Sequence, residues 1–564
     1  MKSKKALIIA ILVLAVAATA VLGFTMKPKE EAEHDYFLVN QGDKVLVMDA
    51  FNPEEVVAEF ENISMNNIVY CSKDSSSFIL SENDNGDYPC LFDLVVYNVA
   101  SGKKTLVDSN VTNYVVTEDF KTFVYVKEND SKLYKKSLAD SEASVITESA
   151  YNFYMTDNGE TLIYEDYEDK TYLKNGNAES VLLGENITIK HFERSNGDFV
   201  YSTGTKLVVH KGGKDTVVTE SLYTGDSSGH IGSCDNFYFT ETQKEFTALD
   251  LFEDDLDEAL KISKDEADSL REVIAEFFNE DYYNYTLRKV FYYDNGSISE
   301  VCDNVVDVFN CYSTSPVDKV AGVFITYDLE NKIKLSDFYG SREAAEIDGV
   351  YCYQFNALKK TNIVKKDTVV HTLESKNMLG CKYNYNSDEM YFAISDNTDF
   401  PYLDTPISDI CKMSLKEGSD EIITIDSGKC FILTTAAVIE KELLYYTFEE
   451  NGYSLYKNGE AIIENADDMY EITEDIFYFS ATEDNKETVK IYFDGEIHEY
   501  PEIDFTNRYA YTTDNDNIIV WKNDGKYFYL INSDSVVRID EEFEIINTFL
   551  GETNEFAYNE YVAE

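Results

Sequence analysis

Thr117-Glu118-Asp119-Phe120-Lys121-Thr122-Phe123-Val124-Tyr125, Thr156-Asp157-Asn158-Gly159-Glu160-Thr161-Leu162-Ile163-Tyr164 and Arg194-Ser195-Asn196-Gly197-Asp198-Phe199-Val200-Tyr201 are three versions of one pattern. Each is a polar turn that runs into a short apolar stretch ending on tyrosine. A weaker fourth version, Cys234-Asp235-Asn236-Phe237-Tyr238-Phe239, ends at Phe239. The steps between these ends are 39, 37 and 38 residues. Apolar β-branched and aromatic runs between turn residues predict strands, and their recurrence at a fixed period predicts an array of like units.

Each copy continues into a second hairpin, at Leu133-Tyr134 in the first and Tyr172-Leu173-Lys174-Asn175-Gly176 in the second. The same order returns near the C-terminus. Leu443-Leu444-Tyr445-Tyr446 precedes Leu455-Tyr456-Lys457-Asn458-Gly459, and Ile476-Phe477-Tyr478-Phe479 precedes Ile491-Tyr492-Phe493-Asp494-Gly495. Arg508-Tyr509-Ala510-Tyr511 precedes Ile519-Val520-Trp521, which leads to Asp524-Gly525. Asn-Gly and Asp-Gly suit type I′ hairpin turns, whose two central residues both need positive φ. About four short strands fit in each unit of roughly 40 residues, which is the make-up of a β-propeller blade.

This turn-and-strand pattern resembles the TolB-type repeat of bacterial extracytoplasmic β-propellers, over about residues 112–240 and 440–540. The resemblance implies blades around an axis and a ligand or partner at one mouth. It carries over no catalytic residue, because the repeat has none. The expected fold is therefore all-β: a propeller of about eight to twelve four-stranded units, in one large ring or two smaller ones. Residues 36–60 supply two or three strands, short of a blade. The last stretch, around Thr548-Phe549-Leu550 and Phe556-Ala557-Tyr558, supplies one or two. One blade completed by both termini would remove free strand edges.

Outside the repeats, residues 6–24 form nineteen uncharged, mostly apolar positions, long enough to cross a hydrocarbon core about 30 Å thick. Lys2, Lys4 and Lys5 precede them and Glu30, Glu31 and Glu33 follow, so residues 1–24 predict a membrane anchor with the N-terminus inside. The alternative is a signal peptide cleaved near Ala20, at Ala18-Thr19-Ala20. Either delivers the region 36–564 across the membrane behind a linker at 25–35. Ser263-x-x-Glu266 is a capping box, and Ala267, Leu270, Val273, Ile274, Phe277 and Phe278 share one helical face. A helical insertion over about 250–282 is expected, packed on a blade or acting as a lid or docking element.

Lys and Arg number 48 against 106 Asp and Glu, a net charge of −58, which opposes nucleic-acid binding. With 44% hydrophobic and 14% aromatic residues the chain can still bury a large core. Nine cysteines (71, 90, 234, 302, 311, 352, 381, 411 and 430) lack Cys-x-x-Cys spacing. Local pairing of Cys71 with Cys90, Cys302 with Cys311 and Cys411 with Cys430 is conceivable, beside a reading as small buried hydrophobes.

Asn83-Asp84-Asn85-Gly86-Asp87 looks like part of a calcium loop. Aligning Gly86 with loop position six leaves Phe92 where a bidentate Glu is needed. Glu165-Asp166-Tyr167-Glu168-Asp169 and Asp254-Asp255 lack the glycine geometry, so solvated turns are expected there. The histidines (34, 191, 210, 230, 371 and 498) are scattered, and no nucleophile elbow, phosphate loop or dinucleotide fingerprint is present. No catalytic, cofactor or metal residue is assigned. The tyrosines and phenylalanines of the repeats are expected in the core, with aromatic platforms for sugars as the alternative. The functional expectation is non-catalytic binding or scaffolding at the bacterial cell envelope, of an envelope protein or polysaccharide. A hydrolase or lyase acting on an envelope or extracellular polymer is the alternative.

Overall fold

The computed structural model describes residues 34–548 apart from several stretches, chiefly 84–90, 226–230, 247–262, 266–284, 313–319, 328–358, 397–406, 431–436 and 500–507, and some shorter turns. The expected membrane segment 1–24 and linker 25–35 lie outside the described residues but for His34 and Asp35. Of the expected insertion, only Ser263, Lys264 and Asp265 are described, the last two helical. No helix among the described residues is long and apolar enough to cross a membrane. Everything else that is regular is β-strand.

The strands form successive antiparallel meanders, here lettered in chain order. The chain divides into two compact units. The first holds meander A (36–61 with 545–548), meander B (68–113) and meander J (508–539). The second holds C (114–147), D (152–185), E (187–219), F (236–374), G (376–430), H (437–466) and I (468–499). The chain passes from the first unit to the second within one long strand, Lys103–Val116, which serves B with its first part and C with its last. Most sheets have four strands in simple order; F has six, and the sheet that contains Lys103–Val116 has seven.

Meander A contains the predicted join of the termini. Tyr36–Asn40 pairs on one side with Lys44–Asp49 and on the other with Ile545–Thr548, in the register Phe37 to Thr548 and Asn40 to Ile545. The C-terminal strand thus begins before the expected Thr548-Phe549-Leu550 and ends there; Phe556 to Tyr558 lie outside the described residues. Asp35 also accepts a buried side-chain hydrogen bond from Asn517, which stands just before the second strand of J.

Strand residues alternate between two buried faces, so one meander packs on two neighbours. Tyr36, Leu38, Val45 and Val47 meet Phe78, Leu80 and Val95 of B, whereas Phe37, Val39, Leu46 and Met48 meet Ile519, Phe528 and Leu530 of J. In the second unit, Phe199, Tyr201 and Val208 of E meet Ile163 and Leu173 of D. Their alternates Val200, Leu207 and Val209 meet Phe237, Phe239 and Tyr293 of F. The same two-sided pattern links F to G, G to H and H to I. Two-sided burial explains why these strands read as nearly continuous apolar runs, and why the unit must repeat: one meander alone leaves a face wet.

The repeat tyrosines are core, as expected. Tyr125, Tyr164, Tyr201 and Phe239 are all buried. Tyr125 stacks on its cross-strand partner Tyr134, Tyr164 on Tyr172 and Tyr445 on Tyr456, the contact that joins opposed residues on one sheet face. Among the turns, Asn458-Gly459 has both residues at positive φ (52° and 88°) between paired Lys457 and Glu460, as type I′ requires. Asn175-Gly176 does not: only Gly176 is at positive φ, and the next strand starts at Val181, because a longer loop closes that hairpin. In F, the strands on either side of residues 247–284 remain paired up to Phe246 and Tyr285, so the insertion leaves and re-enters at one hairpin end.

Candidate functional site

The repeated turns of C, D and E are hydrogen-bonded one to the next. Thr117 Oγ1 donates to Asp119 Oδ1 and accepts from the Thr122 amide; Thr156 Oγ1 does the same with Asn158 and Thr161. These side-chain loops satisfy backbone donors that a tight turn would otherwise leave exposed. Burial pushes the Asp119 carboxyl up, but hydrogen bonds from Thr117 and Lys121 outweigh it and leave the group below the usual carboxylate range. Successive turns are joined by backbone bonds from the Glu118 amide to the Asp157 carbonyl and from the Asp157 amide to the Arg194 carbonyl. Arg194 also pairs with the Asp157 carboxylate at 2.7 Å.

The third turn differs. Glu193 stands where Thr117 and Thr156 stand, with its amide bonded to the Asp198 carbonyl as theirs bond to Thr122 and Thr161. A carboxylate here reaches further than a hydroxyl. Glu193 Oε1 lies 3.2 Å from His191 Nε2 and accepts from the backbone amide of Cys234 at 3.3 Å. The donor atoms of His191, Glu193 and Cys234 all lie within 4.8 Å of one another. Cys234 is buried, and burial, followed by the carboxylates of Glu193, Asp198 and Asp235, pushes its thiol well above the usual range. His191 Nε2 is shut off from solvent without a well-formed hydrogen bond. An imidazole nitrogen, a carboxylate and a thiol form a donor set that borderline divalent metals accept.

Sequence reading left these three residues apart. His191-x-Glu193 is inconspicuous, and Cys234 follows Glu193 by 41 residues. That distance is close to one repeat, which is the signal that could have paired them: residues a period apart occupy like places in adjacent meanders.

A second feature lies on D. Tyr151 and Tyr167 are both exposed, and their rings sit 5.4 Å apart with planes tilted 43°. The Tyr151 amide bonds the Glu165 carbonyl, and its phenol is pushed up by burial and by a hydrogen bond to the Glu165 carboxylate. Burial first, then nearby Asp169 and Asp166, raises the Glu165 carboxyl against the opposing hydrogen bonds from Tyr151 and Asn152. The acidic run 165–169 is otherwise a hydrogen-bonded turn. Asp166 Oδ1 accepts from the amides of Glu168 and Lys170, and Asp169 sits at a φ of 58°. Of the other acidic runs, expected as solvated turns rather than calcium loops, residues 84–87 and 254–255 lie outside the described residues.

A cleft of about 630 Å³ opens beside the turn Lys365 to Val370, walled by Asp388, Leu415, Lys416 and Ser419. Lys365 pairs with Asp388, which also accepts from the Tyr383 phenol at 2.7 Å. Three lysines against two aspartates keep it close to neutral in a strongly acidic chain. Two other histidines have structural partners. His34 Nδ1 pairs with Asp49, and His210 Nδ1 with Asp215, both at 2.7 Å, and the His210 ring stacks on Phe199. Each of the conceivable local cysteine pairings has one member, Cys90, Cys311 or Cys430, outside the described side chains.

No family model matches the chain, and no curated protein matches it. Among solved structures, it is similar to the β-propeller domain of the trilobed protease from Pyrococcus furiosus at 10% identity and a TM-score of 0.24, covering 69% of this chain and 95% of that one. It is similar to the tricorn protease at 9% identity and a TM-score of 0.25, covering 90% and 63%. It is similar to a eukaryotic initiation factor at 10% identity and a TM-score of 0.34, covering 83% of this chain and 96% of that one. These likenesses establish no family and transfer no activity.

Proposed function

We propose that the chain is a non-catalytic β-propeller, held outside a bacterial cell by residues 6–24, that binds an envelope polysaccharide. The observation that carries this reading is the exposed Tyr151–Tyr167 pair beside Glu165. In a chain whose repeat aromatics are spent on the core, two neighbouring rings left at the surface offer apolar faces for sugar rings. The adjacent carboxylate accepts hydrogen bonds from hydroxyls. The succession of four-stranded meanders supports the propeller, and binding surfaces on such scaffolds are carried by turns rather than by strands.

The test is retention of purified cell-wall and capsular polysaccharide fractions by the immobilised full chain, with Tyr167→Ala alongside. Retention that the substitution weakens about tenfold supports the reading, a loss of about 1.4 kcal/mol. Equal retention by both proteins removes the site. Release of shortened polymer would replace binding with the hydrolase or lyase alternative.

A further inference from the structure

We propose that His191, Glu193 and Cys234 bind one zinc-type divalent cation, which staples meander E to meander F. His191 lies in the strand Ile187–Phe192 of E, and Glu193 opens the turn that follows it. Cys234 stands just before the first strand of F, Asn236–Phe246. The three come from two elements that already share a core through Val200, Leu207, Phe237 and Phe239, so the scaffold brings the donors together without the ion.

Three observations converge. First, the donors are the right kinds: nitrogen, oxygen and sulfur together suit zinc and disfavour magnesium or calcium, which take oxygen alone. Second, the spacing is close. Bonds of about 2.0–2.3 Å in a tetrahedron put donors roughly 3.3–3.8 Å apart, and the present group lies within 4.8 Å, with His191 Nε2 and Glu193 Oε1 3.2 Å apart. Third, the imidazole is poorly satisfied as it stands. His191 Nε2 is buried without a well-formed hydrogen bond. A divalent cation takes the imidazole lone pair and, on binding Cys234, displaces the thiol proton to solvent. Three protein donors leave the fourth position to solvent.

The inference is independent of the polysaccharide reading, since neither Tyr151 nor Tyr167 belongs to the trio. The experiment uses the full chain purified in detergent under reducing conditions, with zinc, magnesium and calcium chlorides as probes. One equivalent of zinc should survive dialysis and raise the melting temperature, while magnesium and calcium do neither. Cobalt substituted for zinc should give a thiolate charge-transfer band that Cys234→Ser abolishes and Cys302→Ser leaves intact. Cys234→Ser and His191→Gln should each weaken zinc binding at least tenfold. Absence of retained zinc, or affinity unchanged in both variants, overturns the proposal. If either variant fails to fold, X-ray absorption of the zinc-loaded natural chain decides: a shell with one sulfur and nitrogen or oxygen neighbours supports the staple, and a shell without sulfur overturns it.

Discussion

Tyr201 shows how a single side chain in the repeat serves both core and turn. Its ring is buried between D and E, and its phenol donates to Asp215, which also holds His210. Burial, then the Asp215 carboxylate, pushes the phenol up to about 12. A raised value in the folded state means a contribution intact below the unfolded value of about 10 and lost as pH climbs toward 12. Tyr201→Phe should cost about 1 kcal/mol at pH 8 through the lost hydrogen bond. The gap between the two proteins should narrow from pH 10 to 12. Denaturant titrations across that range check it, and a constant gap contradicts the assignment. Gly197 is constrained differently: it sits at a φ of 80°, and a methyl there would lie 2.8 Å from Thr161 Oγ1 of the neighbouring meander. Gly197→Ala should therefore cost roughly 1–3 kcal/mol, measurable as a lower denaturation midpoint with an unchanged slope.

At the scale of elements, the alternation of strand residues does most of the specifying. Phe199 is fully buried, faces Ile163 and Leu173, and stacks on His210 at 4.5 Å. Phe199→Ala should destabilise by about 3–5 kcal/mol, more than any substitution in the exposed Gly212-Gly213 turn of the same meander. Equal effects would mean that the D–E packing is not what holds these strands. The stretch 247–284 in F makes the converse case. Because Phe246 and Tyr285 are paired on either side of it, replacing residues 250–282 by a short turn should leave the far-ultraviolet β signal unchanged. Loss of that signal would show that the insertion helps to hold F. Strands, hairpins and their repeat were legible in sequence because a period of two and turn residues at positive φ are local properties. The Asn175-Gly176 loop was not, since the same dipeptide also fits a longer connection.

For the molecule as a whole, the decisive contact is the one between the ends of the chain. Ile546 is fully buried against Phe37, Val39, Ile519 and Leu530, and its strand pairs with Tyr36–Asn40 through four residues. A chain ending at residue 540 loses that strand and exposes an edge. It should melt lower and be cut faster by protease within residues 36–61, and Ile546→Ala alone should cost about 2–5 kcal/mol. Unchanged melting of the shortened chain would show the pairing to be incidental. Net charge belongs at this scale too. At −58 the chain repels anionic surfaces, and added salt should ease association with an acidic polymer by screening.

Sequence alone determined that the described residues are nearly all β, in recurring meanders of mostly four strands, that the repeat tyrosines are core, and that residues 36–61 and 545–548 supply parts of one sheet. All of these follow from alternation, turn chemistry and strand arithmetic, which act over a few residues. Tertiary structure alone decided which residues meet across meanders: Glu193 with Cys234, Gly197 with Thr161, and the exposed pair Tyr151 and Tyr167. Such contacts depend on how one repeat stacks on the next, and a separation of about 40 residues carries no local signal of it. The candidate site lies in those stacked turns because there the donors of two meanders come within bonding reach, while the strands between them are committed to the core.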